Sequence, residues 1–311
     1  MIITWLTGGL GNQMFQYAAG LALAERHRTV LKLDVSWFNA DPRYEAHNRY
    51  ALSCWNITEQ FATAEEIERL QGVPLTRTER WSVGLARALR LRRYAAWMER
   101  PDRSFREAAL TGNPAALATL PDGTYLHGMW QSEANFAGVA GLLRQHFSLR
   151  YPLSAAARDC AAAIAAARPA VAVHFRRGDY ARNPSFARDL GVLGADYYAA
   201  AVERIRAVAP RATLFVFSDD IDAVQREFQP DLPCHFYRSP SPQHAPEKIH
   251  LMSLCDHAVV SNSTFAWWGA WLHAGDSSDR CVVAPDPWFA NPDLDGAAVV
   301  PARWTRLARH A

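Results

Sequence analysis

Ala170-Val171-Ala172-Val173 is an unbroken apolar run of strand length, and it stops abruptly at His174-Phe175-Arg176-Arg177-Gly178-Asp179-Tyr180. A run apolar at every position reads as a buried strand. In an open α/β sheet, ligands bind in the crevice outside the carboxyl ends of the strands, and that is where the arginines fall. Two adjacent guanidiniums, with Gly178 allowing close backbone approach and Asp179 available to orient one of them, form a fork suited to a phosphate or diphosphate. The competing reading is an ion-paired strand end that only caps the sheet.

The surrounding chain fits such a sheet. Asp196 to Ala209 puts Tyr198, Ala201, Val202, Ile205 and Val208 on one face, an amphipathic helix. Ala212 to Phe217, His235 to Tyr237 and Ala258 to Val260 read as further strands, with helices from Ile221 and over Glu247 to Leu254. Strands alternating with helices predict a parallel sheet with right-handed crossovers. The N-terminus repeats the pattern: strand Ile2 to Leu6, a Gly8-to-Asn12 turn, a helix Gln13 to His27 apolar on most sides, and strand Thr29 to Leu33 ending in Asp34. Glu65 to Leu70 reads as helix and Thr124 to His127 as strand.

Three further strand ends carry polar groups. Ser261-Asn262-Ser263-Thr264 opens an apolar helix, so the hydroxyls of Ser263 and Thr264 stand at a helix N-terminus, where a phosphate binds without a metal. Capping alone would also account for either hydroxyl. Ser218-Asp219-Asp220 offers carboxylates to a base or ribose hydroxyl. Asp220-Ile221-Asp222 spells a D-x-D metal motif, although acids opening a helix more simply complement its dipole. Asn12 and Gln13, at the mouth of the glycine-rich turn, read as hydroxyl-reading amides, with helix capping by Asn12 as the alternative. Gly9, Gly11 and Asp34 resemble a dinucleotide fingerprint, but Met14 stands where the third glycine is needed.

At 311 residues, two domains are expected, with a boundary near Tyr151-Pro152 before an alanine-rich helix Ser154 to Ala167. A net charge of +2 argues against nucleic acid as a partner. Five separated cysteines without a Cys-x-x-Cys pair favour a reducing compartment over a disulfide framework or zinc site. There is no signal-peptide pattern and no apolar run of membrane-spanning length, so a soluble, cytoplasmic protein is expected. Between Arg77 and Arg106 nine arginines interleave with Trp81, Leu85, Leu89, Leu91, Tyr94 and Trp97. The apolar residues spread around the helix axis, which favours a solvated helix or a loop near an acidic ligand over a membrane-surface helix.

Four stretches together resemble the α-1,2-fucosyltransferase family (glycosyltransferase family 11), bacterial type: Gly8-Gly9-Leu10-Gly11-Asn12-Gln13-Met14-Phe15-Gln16-Tyr17, the His174-to-Tyr180 heptad, Phe217-Ser218-Asp219-Asp220, and Asn262-Ser263-Thr264-Phe265-Ala266-Trp267-Trp268-Gly269-Ala270-Trp271. They occur in the family's order. Phe175 stands where the family more often has a smaller β-branched residue. The region from Asp41 to Pro152 matches no motif. The resemblance implies an α/β, GT-B-like architecture of two Rossmann-like domains with parallel sheets facing across a cleft. Residues 1–152 would form the acceptor side and residues 153–311 the GDP-β-L-fucose side. It also implies inverting transfer of L-fucose to the O2 of a terminal galactose, with no metal or other cofactor.

By matching positions, Arg176 neutralises the donor diphosphate, assisted by Arg177, Ser263 and Thr264, and Asp179 orients an arginine or serves as base. His174, Ser218, Asn262 and one of Asp219 or Asp220, on guanine or ribose, complete the donor side, while Asn12 and Gln13 face the reacting sugar. The implied partners are GDP-fucose and a galactose-terminated glycan, and peripheral contact with the cytoplasmic face of a bacterial inner membrane is compatible with them. A fucosyltransferase of another linkage or acceptor stays open, as do two other classes: a nicotinamide-dependent oxidoreductase, resting on Gly9, Gly11 and Asp34, and a non-catalytic sugar-binding protein, resting on eleven tryptophans.

Overall fold

The computed structural model describes residues 1–39, 49–72, 103–107, 111–112, 114–178, 184–274 and 280–309. Its first half opens with β1 (Ile2–Trp5), α1 (Leu10–His27) and β2 (Leu31–Asp34), and continues through α2 (Ala64–Gln71), β3 (Ser104–Arg106), α3 (Pro114–Thr119), β4 (Tyr125–His127) and α4 (Ala140–His146). The strands form a parallel sheet of order β2-β1-β4-β3. Gly8, at φ +68°, makes the turn out of β1 in a conformation a side chain would resist. α1 starts at Leu10, three residues earlier than the sequence pattern predicts, so Asn12 lies inside the first turn and Gly9 is the N-cap. Thr63 and Glu66 form a capping box that fixes the start of α2.

The second half follows α5 (Ala155–Ala166) with β5 (Ala170–Phe175), α6 (Pro184–Asp189), α7 (Ala195–Val208), β6 (Thr213–Ser218), α8 (Ile221–Glu227), β7 (Cys234–Phe236), α9 (Ala245–Ser253), β8 (His257–Val259), α10 (Thr264–Trp271), β9 (Val282–Asp286) and β10 (Thr305–Ala308). These strands form a second parallel sheet of order β10-β9-β8-β5-β6-β7. β5 is central and buried at every residue. Val171, Val173 and Phe175 pack on one face with Tyr197, Tyr198, Val202 and Ile205 of α7, while Ala170 and Ala172 join the core on the other face. This double coverage is why Ala170 to Val173 is apolar at every position rather than alternating.

The molecule is thus α/β, with two parallel, Rossmann-like sets of strands. The sets share a core. Phe15 of α1 packs 4.6 Å from Trp267 and 4.9 Å from Trp268 of α10, while Ala19, Leu23 and Ala24 face the first sheet. Burial from two directions explains why α1 reads as apolar on most sides. β9 and β10 complete one edge of the second sheet beyond the last strand expected from the sequence. Of the arginine-rich stretch, only residues 103–106 are described, as an exposed loop residue and β3; the rest lies outside the described residues. Among the described residues, no helix is long and apolar enough to cross a membrane.

Candidate active site

β5 and β6 lie side by side with Phe175 opposite Ser218, so the next residues, Arg176 and Asp219, leave the sheet together at its carboxyl edge. Arg176 Nη1 pairs with Asp219 Oδ2 at 3.0 Å. The same carboxylate accepts the backbone N–H groups of Arg177 and Gly178, both at 2.9 Å. Burial opposes ionisation of Asp219, yet Arg176 and these N–H donors hold its carboxyl below its ordinary value. Asp219 is therefore a fixed anion that sets the course of the chain after β5 and the direction of one guanidinium. Arg177 is turned away, Nη2 meeting Glu227 of α8 at 2.5 Å.

Two groups back this edge. His174 points to the face of β5 opposite Phe175, is 4% exposed, and shares a hydrogen bond of 2.9 Å between Nδ1 and Ser261 Oγ. Burial pushes its imidazole far below the ordinary value, so it is neutral at physiological pH. Lys248 of α9 donates from Nζ to the carbonyl of Ser218 at 2.7 Å. Burial lowers this ammonium from its ordinary value, Arg176 adds to that push and Asp219 opposes it.

The glycine-rich turn of the first half meets α10 of the second. A Cβ on Gly11 would lie 2.6 Å from Thr264 C and Phe265 N, so only glycine permits the approach. Thr264 donates its hydroxyl to Asn12 Oδ1 at 3.0 Å, Gln131 Nε2 donates to the same oxygen at 3.3 Å, and Trp268 Nε1 donates to Gly11 O at 3.0 Å. Asn12 thereby joins the carboxyl edges of the two sheets. Nearby, Trp5 and His127 stack at 4.1 Å on the first sheet. The model of glycosyl transferase family 11 matches residues 95–307, more than half the chain.

The chain belongs to glycosyl transferase family 11.

It is a glycosyltransferase, in accord with the resemblance read from its four motifs. It is 28% identical to the O-antigen biosynthesis glycosyltransferase WbnK of Escherichia coli, over 92% of this chain and 94% of that one. To an alpha-1,2-colitosyltransferase of Escherichia coli it is 26% identical over 99% of both. Among solved structures, POFUT1 in complex with GDP-fucose aligns at TM-score 0.47 and 16% identity, covering 91% of this chain and 97% of that one.

In this family 11 member the motif residues divide by neighbourhood. Arg176, Arg177, Ser218, Asp219 and His174 gather at the end of β5 and β6. Asp179 lies outside the described residues, so the orienting carboxylate that the structure describes is Asp219. Asp220 caps α8, accepting Ala223 N–H at 3.2 Å, and Asp222 pairs with Arg238 at 2.7 Å, so the two acids of the D-x-D pattern have separate protein partners. Asn262 donates to Leu190 O at 2.6 Å and thereby ties the strand end to the chain after α6. Ser263 is the N-cap of α10 but makes no side-chain cap bond. The hydrogen of Thr264 is directed at Asn12, so this hydroxyl must rotate before it can donate to a phosphate.

Gln13 is 0% exposed and its amide is engaged with backbone, donating to Gly8 O and Arg49 O and accepting Ala51 N–H. It builds the turn and presents nothing to a sugar in this conformation. Asp34, the acid of the partial dinucleotide fingerprint, is buried and already accepts the hydroxyl of Tyr125 at 2.6 Å and the N–H of Ser36 at 2.8 Å. Lys248 and Gln131 were not legible as site residues. Each stands in an ordinary-looking segment and reaches the site only through the packing of distant elements.

Proposed function

We propose that this glycosyltransferase transfers L-fucose, with inversion, from GDP-β-L-fucose to the O2 of a terminal galactose, as a galactoside 2-α-L-fucosyltransferase that needs no metal. The observation that carries the reading is Arg176, held by Asp219 at the carboxyl edge of the second sheet and flanked by Lys248. As GDP departs, negative charge collects on the β-phosphate while the fucosyl ring takes on oxocarbenium character. Cations fixed beside that phosphate stabilise the transition state more than the ground state. The acceptor side is the facing edge of the first sheet, where Asn12 and Gln131 offer amides and the Trp5–His127 stack offers an aromatic surface for a pyranose ring. Asp179, in the arginine motif, is assigned to orienting a guanidinium.

The O-antigen and colitosyl relatives support a surface glycan as the acceptor and α-1,2 as the linkage. A cytoplasmic reaction, in peripheral contact with a bacterial inner membrane, is part of the same proposal. The end-to-end match to a colitosyltransferase favours one second reading, in which the same transfer uses a colitosyl donor.

The test is GDP release in EDTA with lactose as acceptor, comparing GDP-fucose, GDP-colitose, GDP-mannose and UDP-galactose. Release requiring both GDP-fucose and the galactoside is expected. A preference for GDP-colitose would move the assignment to the second reading. Turnover that returns only when a divalent cation is restored would overturn metal independence, and turnover without any galactoside would overturn the acceptor.

A further inference from the structure

Lys248 sits in the first turn of α9 beside Glu247, and the two neighbours face opposite ways. Glu247 is 6% exposed and anchors the helix, accepting the N–H and hydroxyl of Ser154 at 2.6 and 2.8 Å and the hydroxyl of Tyr237 at 3.3 Å. With its backbone fixed from that side, Lys248 extends toward the end of β6. There its hydrogen bond goes to a neutral group, the carbonyl of Ser218. Among the described residues, no carboxylate lies within ion-pair distance of its Nζ. An ammonium has three N–H donors, and a desolvated one is ordinarily paired with an anion. Lys248 is close enough to Asp219 and Arg176 to exchange charge interactions with both. It stands in the fork with a single neutral acceptor.

Taking the donor to be a nucleoside diphosphate sugar, as above, we propose that Lys248 is a third diphosphate-binding cation, whose ammonium pairs with phosphate oxygen beside Arg176. The ion supplied by the ligand is the partner that the described residues do not give it. Lysine suits this task as a point charge, where arginine acts as a planar fork. Among the described residues, the charged groups facing Lys248 are Asp219 after β6 and Arg176 after β5. His174 behind them is neutral, and Glu247 on its own helix is turned to Ser154. Because its ammonium is already lowered, Lys248 loses its proton below the usual lysine range in the free protein, and a bound diphosphate opposes that loss. Affinity for diphosphate should therefore fall as pH rises toward the lysine range.

The experiment is calorimetric titration of the full chain with GDP, guanosine and inorganic pyrophosphate, for wild type, K248M and K248R, from pH 6.5 to 9.5. K248M is expected to weaken GDP and pyrophosphate about 10- to 100-fold and to leave guanosine unchanged, the loss of one charge-assisted contact. K248R should keep most of the affinity and flatten its alkaline decline. Equal GDP binding in K248M and wild type, or equal weakening of guanosine and GDP, would reduce Lys248 to a clamp on Ser218 and overturn the proposal. If wild type bound pyrophosphate without preferring GDP, the GDP-sugar reading would fall, while K248M on pyrophosphate would still decide the role of Lys248.

Discussion

Asp219 does more at this site than any other single described side chain, because one carboxylate pairs with Arg176 and accepts two successive backbone N–H groups. Asp219→Asn keeps an acceptor but removes the charge and the match to the guanidinium. We predict a fall in turnover of about 10² to 10³, the usual scale for losing a transition-state electrostatic group or its orientation, with far-UV circular dichroism unchanged. Arg176→Ala should fall at least as far, and the double variant little further, since the two act as one unit. Independent, multiplying losses would refute the pairing. The acid dependence follows from the same geometry. The folded Asp219 carboxyl lies below its unfolded value, so its contribution to stability is complete above the unfolded value and is lost as pH falls through the folded one. Asp219→Asn should remove that part of the acid sensitivity, flattening the fall of stability below the ordinary carboxylate range and leaving the slope near neutrality unchanged.

At the scale of elements, the contact of α1 with α10 is where the two halves meet, and Gly11 is what permits it. Gly11→Ala forces a Cβ against the backbone of Thr264 and Phe265, neither of which can yield as a side-chain tip would. We expect a loss of about 1–3 kcal/mol, read as a lower urea midpoint. Gly141→Ala, in α4 with nothing within 4 Å of the added carbon, should be neutral or gain about 0.5–1 kcal/mol. An equal midpoint for the two variants would remove the steric reading. The elements themselves were legible where their chemistry is local. β5 carries an apolar run through Val173 and β6 one through Phe217 because both faces are covered, and α7 shows its stripe of Tyr198, Ala201, Val202 and Ile205 because one face is; Tyr197 joins that stripe, while Val208, expected on it, lies exposed near the end of the helix. β9 contains Pro285, which weakens a strand reading, and β10 is four residues whose types, Thr305-Arg306-Leu307-Ala308, do not alternate between apolar and polar, so neither stands out apart from its neighbours. The site divided in the same way. The arginines and Asp219 stand directly at strand ends and could be found by reading strands. The direction of an amide could not. Asn12 and Gln13 are adjacent polar residues in one turn, yet Asn12 reaches across to Thr264 while Gln13 is sealed into the fold by residues near position 50.

For the whole molecule, the two sheets suggest two units, but the core does not separate along that line. Phe15 and Phe136 from the first half interleave with Trp267, Trp268 and Trp271 from the second, with Phe136 stacked on Trp268 at 5.4 Å. Around this aromatic block, Trp268 donates to Gly11 O, and Glu133 accepts Trp271 Nε1 at 3.0 Å and Arg303 Nη1 at 2.6 and 2.7 Å. Pulling the halves apart would expose these rings and strand the Glu133 carboxylate, so neither half retains a complete core alone. Unfolding should therefore be one transition, with tryptophan fluorescence and far-UV circular dichroism falling together in urea. Phe136→Ala should lower the shared midpoint by the equivalent of about 3–5 kcal/mol without separating the two signals. Two resolved steps in wild type would mean that each sheet carries its own core. A shared core has a functional consequence as well: adjustment to a bound donor must come from the chain beyond the strand ends, where Arg176, Asp219 and Lys248 meet, because a swing of one half against the other would have to open the Phe15–Trp268 contact first.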